Sequence, residues 1–312
     1  MNDTKIHWPE GKTFAFTVFD DTDLSSPGNF EEVYAFLHNC GMRTTKSVWP
    51  LQSIERHPFR GSTCEDAVYL KSMLALLDKG FEISFHNTSS HGMPRDQIIQ
   101  GLDLFKKHFG HYPRSMSNHA DSLEAIYWGD ARLSGWRKTL YNLLTLNKKK
   151  NAFFGHVEDS PFFWGDLCNE RIGYVRNFVT NEINTLASCP WMPYHDPSLP
   201  YVSAWFAASE GPDRKSFNAR ISESNQDRLE QEGGLCIMYT HFACGFQENK
   251  KLDPRFQELI KRLSRKNGWF APVSTILDHV KTQKGTHLLT PEQKSKLERD
   301  WLFHKVKLGK TT

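Results

Sequence analysis

The sequence contains no apolar run that approaches the roughly 20 residues of a membrane-spanning helix. Its 39 basic and 36 acidic residues are well mixed and leave a net charge of only +3, which does not indicate a nucleic-acid-binding protein. None of its six cysteines forms a C-x-x-C pair, which argues against a zinc ribbon or a thioredoxin-like redox site. The chain also lacks internal repeats and low-complexity segments. These absences predict a globular protein with no transmembrane segment and no nucleic-acid partner.

The amino-terminal residues 1–7 lack the apolar segment of a secretory signal peptide. A reducing, cytoplasmic compartment is therefore the expectation, with a signal peptide already removed from the chain as the alternative. Cys40, which precedes Gly41, and Cys236, inside an apolar run, have the pattern of buried thiols.

Strands and helices alternate in the first part of the chain. Short apolar runs predict strands at residues 13–19, 44–48 and 81–85. Helical spacing of apolar residues predicts helices at residues 29–41, 65–79 and 94–109. The alternation resumes near residue 215. This pattern is typical of an α/β protein with a parallel sheet, and we expect residues 1–312 to form a single domain.

Residues 120–215 break the alternation and are rich in Trp, Tyr, Phe, Pro and Asn. Irregular insertions at the ends of a sheet usually carry specificity, so we expect an insertion over the mouth of the active site. Its candidates for lining a cleft are Trp164, Trp191, Tyr194, His195 and Trp205. Taken singly, each is better explained by packing in a core.

Two adjacent carboxylates, Asp20 and Asp21, follow the apolar run of residues 13–19. The run indicates a strand buried on both faces. Carboxylates at the mouth of such a strand need water, a partner or a cation, because an isolated buried charge is costly. Successive strand side chains point to opposite faces, so the two should differ in environment and role. The simpler alternative is a helix cap or a polar turn.

Two later strand-like runs end in histidine. Residues 82–85 lead into His86, with His91 five positions further on, and residues 235–240 lead into His241. The carboxyl ends of parallel strands meet at one end of an α/β barrel, where Asp and His side chains would suit a metal site. Alone, His86 has the pattern of a core-edge histidine and His91 that of a surface loop. Their combination with Asp20 and Asp21 favours the metal site.

In this order, these residues resemble the polysaccharide deacetylase family, the carbohydrate esterases that share the nodulation-deacetylase domain. The resemblance rests on Asp20-Asp21, on residues 80–86 with His91, and on residues 237–241. It extends to residues 41–48 and 269–278 and covers about residues 12–120 and 215–282 of the chain.

The resemblance implies a distorted (β/α) barrel, usually with seven strands, and a divalent metal, commonly zinc. It implies Asp21, His86 and His91 as metal ligands, Asp20 as the general base and His241 as the general acid. The metal would polarise an acyl carbonyl, Asp20 would deprotonate a water, and His241 would protonate the departing amine. The implied function is a metal-dependent hydrolase of carbon–nitrogen bonds that removes an acyl group from an N-acylated amino sugar.

The chain departs from the family pattern at three places. Thr22-Asp23 replaces a Gly-Pro pair, which brings Asp23 within reach of the metal or the substrate. The two histidines are five positions apart, not the usual four. The family's Arg-Pro-Pro stretch is replaced by residues 113–120, so Asn118 or His119 would have to substitute for its arginine.

Two other functions stay open. One is hydrolysis of another linear or cyclic amide on the same fold, and the other is a non-catalytic, carbohydrate-binding relative. The presence of all five chemical residues argues against the second. The expected partner is a carbohydrate or another acylated amine, and a capped site would favour a short or terminal saccharide over a long polymer.

Overall fold

A computed structural model describes residues 6–53 and 60–308 of the chain. The first five residues of the amino-terminal segment considered above lie outside this described part. Among the helices described, none is long and apolar enough to cross a membrane.

The chain alternates strands with helices along most of its length. The strands are β1 (Phe14–Asp20), β2 (Thr45–Val48), β3 (Glu82–Phe85), β4 (Ser115–Met116), β5 (Tyr174–Thr180), β6 (Tyr194–His195), β7 (Trp205–Glu210), β8 (Leu235–Thr240), β9 (Gln247–Glu248), β10 (Lys251–Leu252), β11 (Gly268–Trp269) and β12 (His287–Leu288). The helices are α1 (Glu31–Asn39), α2 (Ala67–Asp78), α3 (Arg95–Phe109), α4 (Gly135–Leu144), α5 (Gly165–Arg171), α6 (Thr185–Ser188), α7 (Arg214–Arg220), α8 (Glu223–Gln231), α9 (Pro254–Ser264), α10 (Val273–Lys284) and α11 (Pro291–Leu308), with 3-10 turns at Pro9–Gly11 and Gly129–Arg132.

Seven parallel strands within the described residues close into a barrel. Each strand pairs with the next in the order β1, β2, β3, β4, β5, β7 and β8, and β8 pairs with β1. The expected seven-stranded (β/α) barrel is therefore confirmed. Because all seven strands run the same way, their carboxyl ends meet at one end of the barrel.

Strand β1 is central to this arrangement. All of its residues are buried, as the continuous apolar run predicts. It pairs with β8 from Ala15 to Asp20, with β2 near its carboxyl end and with β11 near its start. Because β1 is buried on both faces, its position is fixed, and so is the point from which the residues after it begin.

Helix α3 shows how the local sequence produces these elements. Ile98, Leu102 and Phe105 recur at helical spacing, and all three are buried. Gly110 ends the helix with a φ of 84°, a left-handed conformation that glycine adopts without the steric cost of a Cβ atom. The predicted helix at residues 94–109 is thereby confirmed.

The middle segment differs from the expectation for residues 120–215. Two barrel strands, β5 and β7, lie within it, so the segment is part of the barrel as well as a source of irregular loops. These strands were missed because each contains polar or charged residues, such as Arg176 and Asn177. Whether its irregular parts form a lid over the mouth stays a prediction.

The loop after β4 is held in place by buried polar groups. The Asn118 amide donates to the carbonyl oxygen of Ile126 and accepts from the Ile126 N–H. The Glu124 carboxylate accepts from the N–H groups of Thr88 and Met93. Each bond ties the loop to itself or to the segment after β3, so the loop has a defined position beside the barrel mouth.

Glu124 should make the stability of the fold depend on pH. Burial raises the pKa of its carboxyl from 4.5 to about 8. Since the folded state then binds the proton more tightly than the unfolded chain, stability should fall as the pH rises from about 4.5 to about 8. Glu124→Gln should remove roughly 3–5 kcal/mol of this decline. Urea unfolding of both proteins at pH 5 and pH 8.5 measures this decline. If the free energy of unfolding of Glu124→Gln falls between the two pH values as much as that of the unmodified protein, Glu124 is not its cause.

Candidate active site

A cavity of about 270 Å³ opens where the carboxyl ends of the strands meet. Its lining combines charged and polar side chains with apolar surface and includes residues that follow β1, β3, β4 and β8. The lining residues are Asp21, Asp23, Arg60, His86, Asn118, His119, Ala120, Asp121, Trp128, Arg176, Val179, Tyr239 and His241.

Asp23 lies at the centre of a cluster of imidazoles. Its Oδ2 atom is 3.0 Å from Nε2 of His86, and its Oδ1 atom is 3.1 Å from Nε2 of His119. Nε2 of His241 lies 3.6 Å from Oδ2 of the same carboxylate. The ligand atoms of Asp23, His86 and His119 all lie within 4.8 Å of one another, a spacing that allows them to share one ion.

The hydrogen bonds of His86 fit metal ligation. Its Nδ1 atom faces the hydroxyl and the carbonyl oxygen of Ser117 at 2.7 and 3.1 Å. The Ser117 hydroxyl in turn donates to Asp21. Nδ1 is therefore the donor, which leaves the Nε2 lone pair of a neutral ring facing the Asp23 carboxylate. Two acceptors at this distance need a proton or a cation between them, and such orientation by an outer partner is typical of metal-bound histidine.

His119 reaches the cluster from the loop that follows β4. Its backbone N–H donates to the side chain of Asn87 at 2.6 Å. Asn87 directly follows His86 and has a φ of 61°, a left-handed conformation that asparagine tolerates better than most residues. Trp49 packs edge-on against the His119 ring. These contacts fix both imidazoles on one side of Asp23.

Asp21 has a different environment, although it is only two residues from Asp23. Arg176 from β5 donates to both of its carboxylate oxygens, at 3.0 and 2.6 Å, and Ser117 donates to Oδ1 at 2.8 Å. The bidentate pair is buried and strongly directional. It orients the carboxylate at the floor of the cavity.

The charges of the site keep both acids ionised. Burial raises the pKa of the Asp21 carboxyl, but the adjacent Arg176 guanidinium together with the His86 and His241 rings outweighs burial and leaves the pKa below its usual value. Burial has the same effect on Asp23, where the adjacent rings of His119, His241 and His86 hold the pKa well below its usual value.

His241 follows β8 and turns its ring toward Asp23. Its Nδ1 atom donates to the carbonyl oxygen of Pro212 at 2.7 Å, which leaves Nε2 facing the cavity. Burial alone would lower the pKa of the ring, but the Asp23 carboxylate raises it to about 9. A second possible ligand group, formed by Asp21, Asp23 and His241, is less suited to an ion because Arg176 already occupies both oxygens of Asp21.

Asp20, the expected base, lies outside the cavity lining. Its side chain is completely buried and forms an ion pair with Lys46 at 3.0 Å. It also accepts from the Tyr34 hydroxyl and from the N–H of Phe242. Burial raises the pKa of Asp20, although Lys46 opposes the shift. This environment suits an anchor between β1, β2 and the residue after His241, and it gives Asp20 no access to a substrate.

The expected ligand set Asp21, His86 and His91 is not brought together. Of these three residues only His86 belongs to the Asp23–His86–His119 group, and neither ligand group found among the described residues contains His91. His91 lies in the loop before α3, where its backbone exchanges hydrogen bonds with the Ser89 hydroxyl. Asp23 and His119, expected near the substrate or in place of an arginine, join His86 in this group of possible ligands.

The remaining substrate candidates have mixed positions. Asn118 lines the cavity but uses its amide to hold its own loop. The five aromatic and histidine candidates, Trp164, Trp191, Tyr194, His195 and Trp205, do not line the cavity. Trp164, Tyr194 and Trp205 are almost fully buried, and Trp191 stacks on His287. Their positions agree with the core-packing alternative.

Seven lining residues were not predicted from the sequence, namely Arg60, Ala120, Asp121, Trp128, Arg176, Val179 and Tyr239. Arg176 was detectable as a charged residue inside an otherwise apolar run, where it needs a buried partner. Tyr239 precedes the histidine of β8 by two positions and therefore shares a face of the strand with it. Trp128 lies in an irregular loop, and the sequence contains no pattern that separates it from the core tryptophans.

Comparison with solved structures identifies the fold. A protein of Mycobacterium smegmatis assigned as a polysaccharide deacetylase matches with a TM-score of 0.52 and 12% identity, over 92% of this chain and 96% of that chain. A PuuE allantoinase matches with a TM-score of 0.49 and 12% identity, over 89% of this chain and 94% of that chain. A Pseudomonas aeruginosa PAO1 protein assigned as a polysaccharide deacetylase matches with a TM-score of 0.48 and 10% identity, over 90% of this chain and 95% of that chain.

No protein-family model matches the chain, and no curated protein sequence matches it. The chain therefore has the fold of polysaccharide deacetylases, as the resemblance implied, and at this level of identity the match concerns the fold alone.

Proposed function

We propose that the protein is a metal-dependent hydrolase that removes the acyl group from a small N-acylated amine, with an N-acylated amino sugar as the leading substrate class. The observation that supports this most is the separation of two carboxylates within one cavity. Asp23 faces three imidazoles, while Asp21 is held by Arg176. A hydrolytic site needs such a division between ligand and base.

Asp23, His86 and His119 would hold the ion. Two imidazoles and one carboxylate form a donor set typical of catalytic zinc. When bound, such an ion supplies Lewis-acid polarisation of an acyl carbonyl.

Asp21 and His241 would move the protons. Arg176 keeps the Asp21 carboxylate ionised and fixed, so Asp21 can accept the proton of an attacking water. His241 directs Nε2 into the cavity because Nδ1 is held by Pro212. From there Nε2 can donate a proton to the departing amine. Tyr239 lies 3.4 Å from Nε2 and limits the movement of this ring.

The size of the cavity supports a small substrate. Its volume of about 270 Å³ lies just below the roughly 300–1,000 Å³ of typical ligand pockets. The exposed pair of Arg60 and Asp121, 2.9 Å apart, lies among the lining residues and narrows the approach. A monosaccharide fits these dimensions better than a polymer threaded through an open groove.

Acetate release tests the proposal. The protein loaded with Zn²⁺ or Co²⁺ should release acetate from an N-acetylated monosaccharide faster than from a short oligosaccharide, and slowest from a polymer. The chelated protein should be inactive and regain activity on addition of metal. Absence of hydrolysis for every N-acetylated amine would contradict the proposal, while preference for the polymer would contradict only the size argument.

The compact cavity also favours a second candidate, hydrolysis of a small linear or cyclic amide. Such a substrate would use the same ligands, base and acid, because the bond broken is again an amide. Ring opening of a cyclic amide, followed by chromatography, separates the two candidates. Activity on the cyclic amide without acetate release would favour the second.

A further inference from the structure

Helix α4 carries an apolar face that the described part of the chain leaves uncovered. Trp136, Leu143 and Leu144 lie on one side of the helix, and Leu146 follows in the next turn. Their exposed fractions are 54%, 68%, 45% and 76%. Such fractions are unusual for four large apolar side chains so close in sequence, and grouped exposure of this kind marks an interaction site.

The opposite face of α4 is firmly docked, so the exposure is not a result of a loose helix. Tyr141 is buried against Trp301 of α11, with ring centroids 5.9 Å apart. Arg137 pairs with Glu298 at 2.6 Å, and Lys138 pairs with Asp130. The helix is therefore fixed to the body of the protein and presents its other face outward.

A basic run adjoins this apolar face. Lys148, Lys149 and Lys150 follow Leu146 after one residue, Asn147, and the sequence has no acidic residue between Asp130 and Glu158. Lys148 and Lys150 are exposed. Leu146 has a φ of 51°, a left-handed conformation that costs energy for a leucine. The backbone thus accepts strain at the residue with the most exposed side chain of the four.

We infer that Trp136, Leu143, Leu144 and Leu146, together with the exposed Lys148 and Lys150, form a surface that binds an anionic lipid bilayer. Leucine and tryptophan side chains enter the boundary between headgroups and acyl chains, and lysines are attracted to anionic headgroups. A second copy of the chain fits less well. In a symmetric pairing both copies would present the same basic surface, and like charges repel.

The surface adjoins the mouth of the candidate active site. Lys149 donates to the carbonyl oxygen of Ala120 at 3.1 Å, and Ala120 lines the cavity. A protein bound to a bilayer through this surface would hold its cavity mouth close to the lipid. The inference does not depend on the proposed reaction.

Vesicle co-flotation with the full-length protein tests the inference. We expect binding to phosphatidylcholine vesicles that contain 30% phosphatidylglycerol, and little binding to phosphatidylcholine alone. Lys148→Gln/Lys150→Gln should weaken binding roughly 25-fold, since each exposed lysine contributes roughly fivefold. Leu143→Gln/Leu146→Gln should weaken it about tenfold. Raising NaCl from about 0.1 to 0.5 M should weaken binding through screening.

Matched controls lie elsewhere on the surface. Leu288 is exposed to a similar extent, and Lys250 and Lys251 are exposed lysines. Leu288→Gln and Lys250→Gln/Lys251→Gln should bind vesicles like the unmodified protein. The inference would be overturned by the absence of binding even at 50% phosphatidylglycerol, by an equal loss in the controls, or by a dimer in light scattering that the Leu143→Gln/Leu146→Gln variant dissociates. Selective binding of an acidic protein without vesicle binding would overturn it as well.

Discussion

His119→Ala should remove most of the metal binding, whereas His91→Ala should leave it intact. The reason is geometric: the His119 Nε2 atom lies 3.1 Å from the Asp23 carboxylate, and His91 belongs to neither group of candidate ligands among the described residues. Loss of one ligand leaves two protein donors. Since loss of an outer hydrogen-bond partner alone costs about 10–100-fold in affinity, loss of a direct ligand should cost at least about 100-fold.

Metal content after dialysis and titration calorimetry measure both variants. The pair provides its own control, because each variant loses one histidine from a neighbouring loop. Stoichiometric metal in His119→Ala, or its loss in His91→Ala, would return the ligand role to the residue that the family resemblance implies.

Asp21→Asn should reduce turnover by roughly 10²–10⁴-fold, the usual contribution of a positioned base, while the metal stays bound. An asparagine keeps the shape of the carboxylate and can still accept from Arg176, but it cannot take a proton from water. Steady-state kinetics on the metal-loaded protein, with metal content measured in parallel, tests the assignment. Unchanged turnover would show that Asp21 has only a structural role.

Asp20→Asn is the matched comparison, since it makes the same change one residue earlier. It removes the buried partner of Lys46, and breaking a buried ion pair typically costs about 3–5 kcal/mol. We therefore expect a large fall in the free energy of unfolding and a much smaller fall in the turnover of the folded fraction. Loss of activity in Asp20→Asn with unchanged stability would identify Asp20 as the base.

The barrel was predictable because its signals are local. Continuous apolar runs marked β1 and β8, and helical spacing with terminal glycines marked α1, α2 and α3. Residues 235–240 were assigned to a strand with the bounds that the structure has. Strands β5 and β7 were not predicted from the sequence because the alternation between apolar and polar residues is weak in both.

For the candidate site, the sequence predicted the types of functional group better than the residues that supply them. Alternate residues of a strand point to opposite faces, so either Asp20 or Asp21 can face the cavity. Strand β1 is buried on both faces, and its sequence therefore has no polar side that would show which of the two does. Arg176 and His119 depend on which strands are neighbours in the closed barrel. A single sequence does not encode that neighbourhood locally, so the sequence analysis did not place Arg176 beside Asp21 or His119 beside Asp23.

Closure of the barrel by β1 and β8 has a consequence for synthesis of the protein. Asp23 leaves the ribosome early, whereas His241 follows more than 200 residues later. The pairing of Ala15–Asp20 with Leu235–Thr240 is the step that brings them together. Contacts so distant in sequence form slowly, and until they form, the edges of β1 and β7 are open to other chains. A nascent chain of between about 120 and 240 residues would thus carry every proposed metal ligand and still lack its acid.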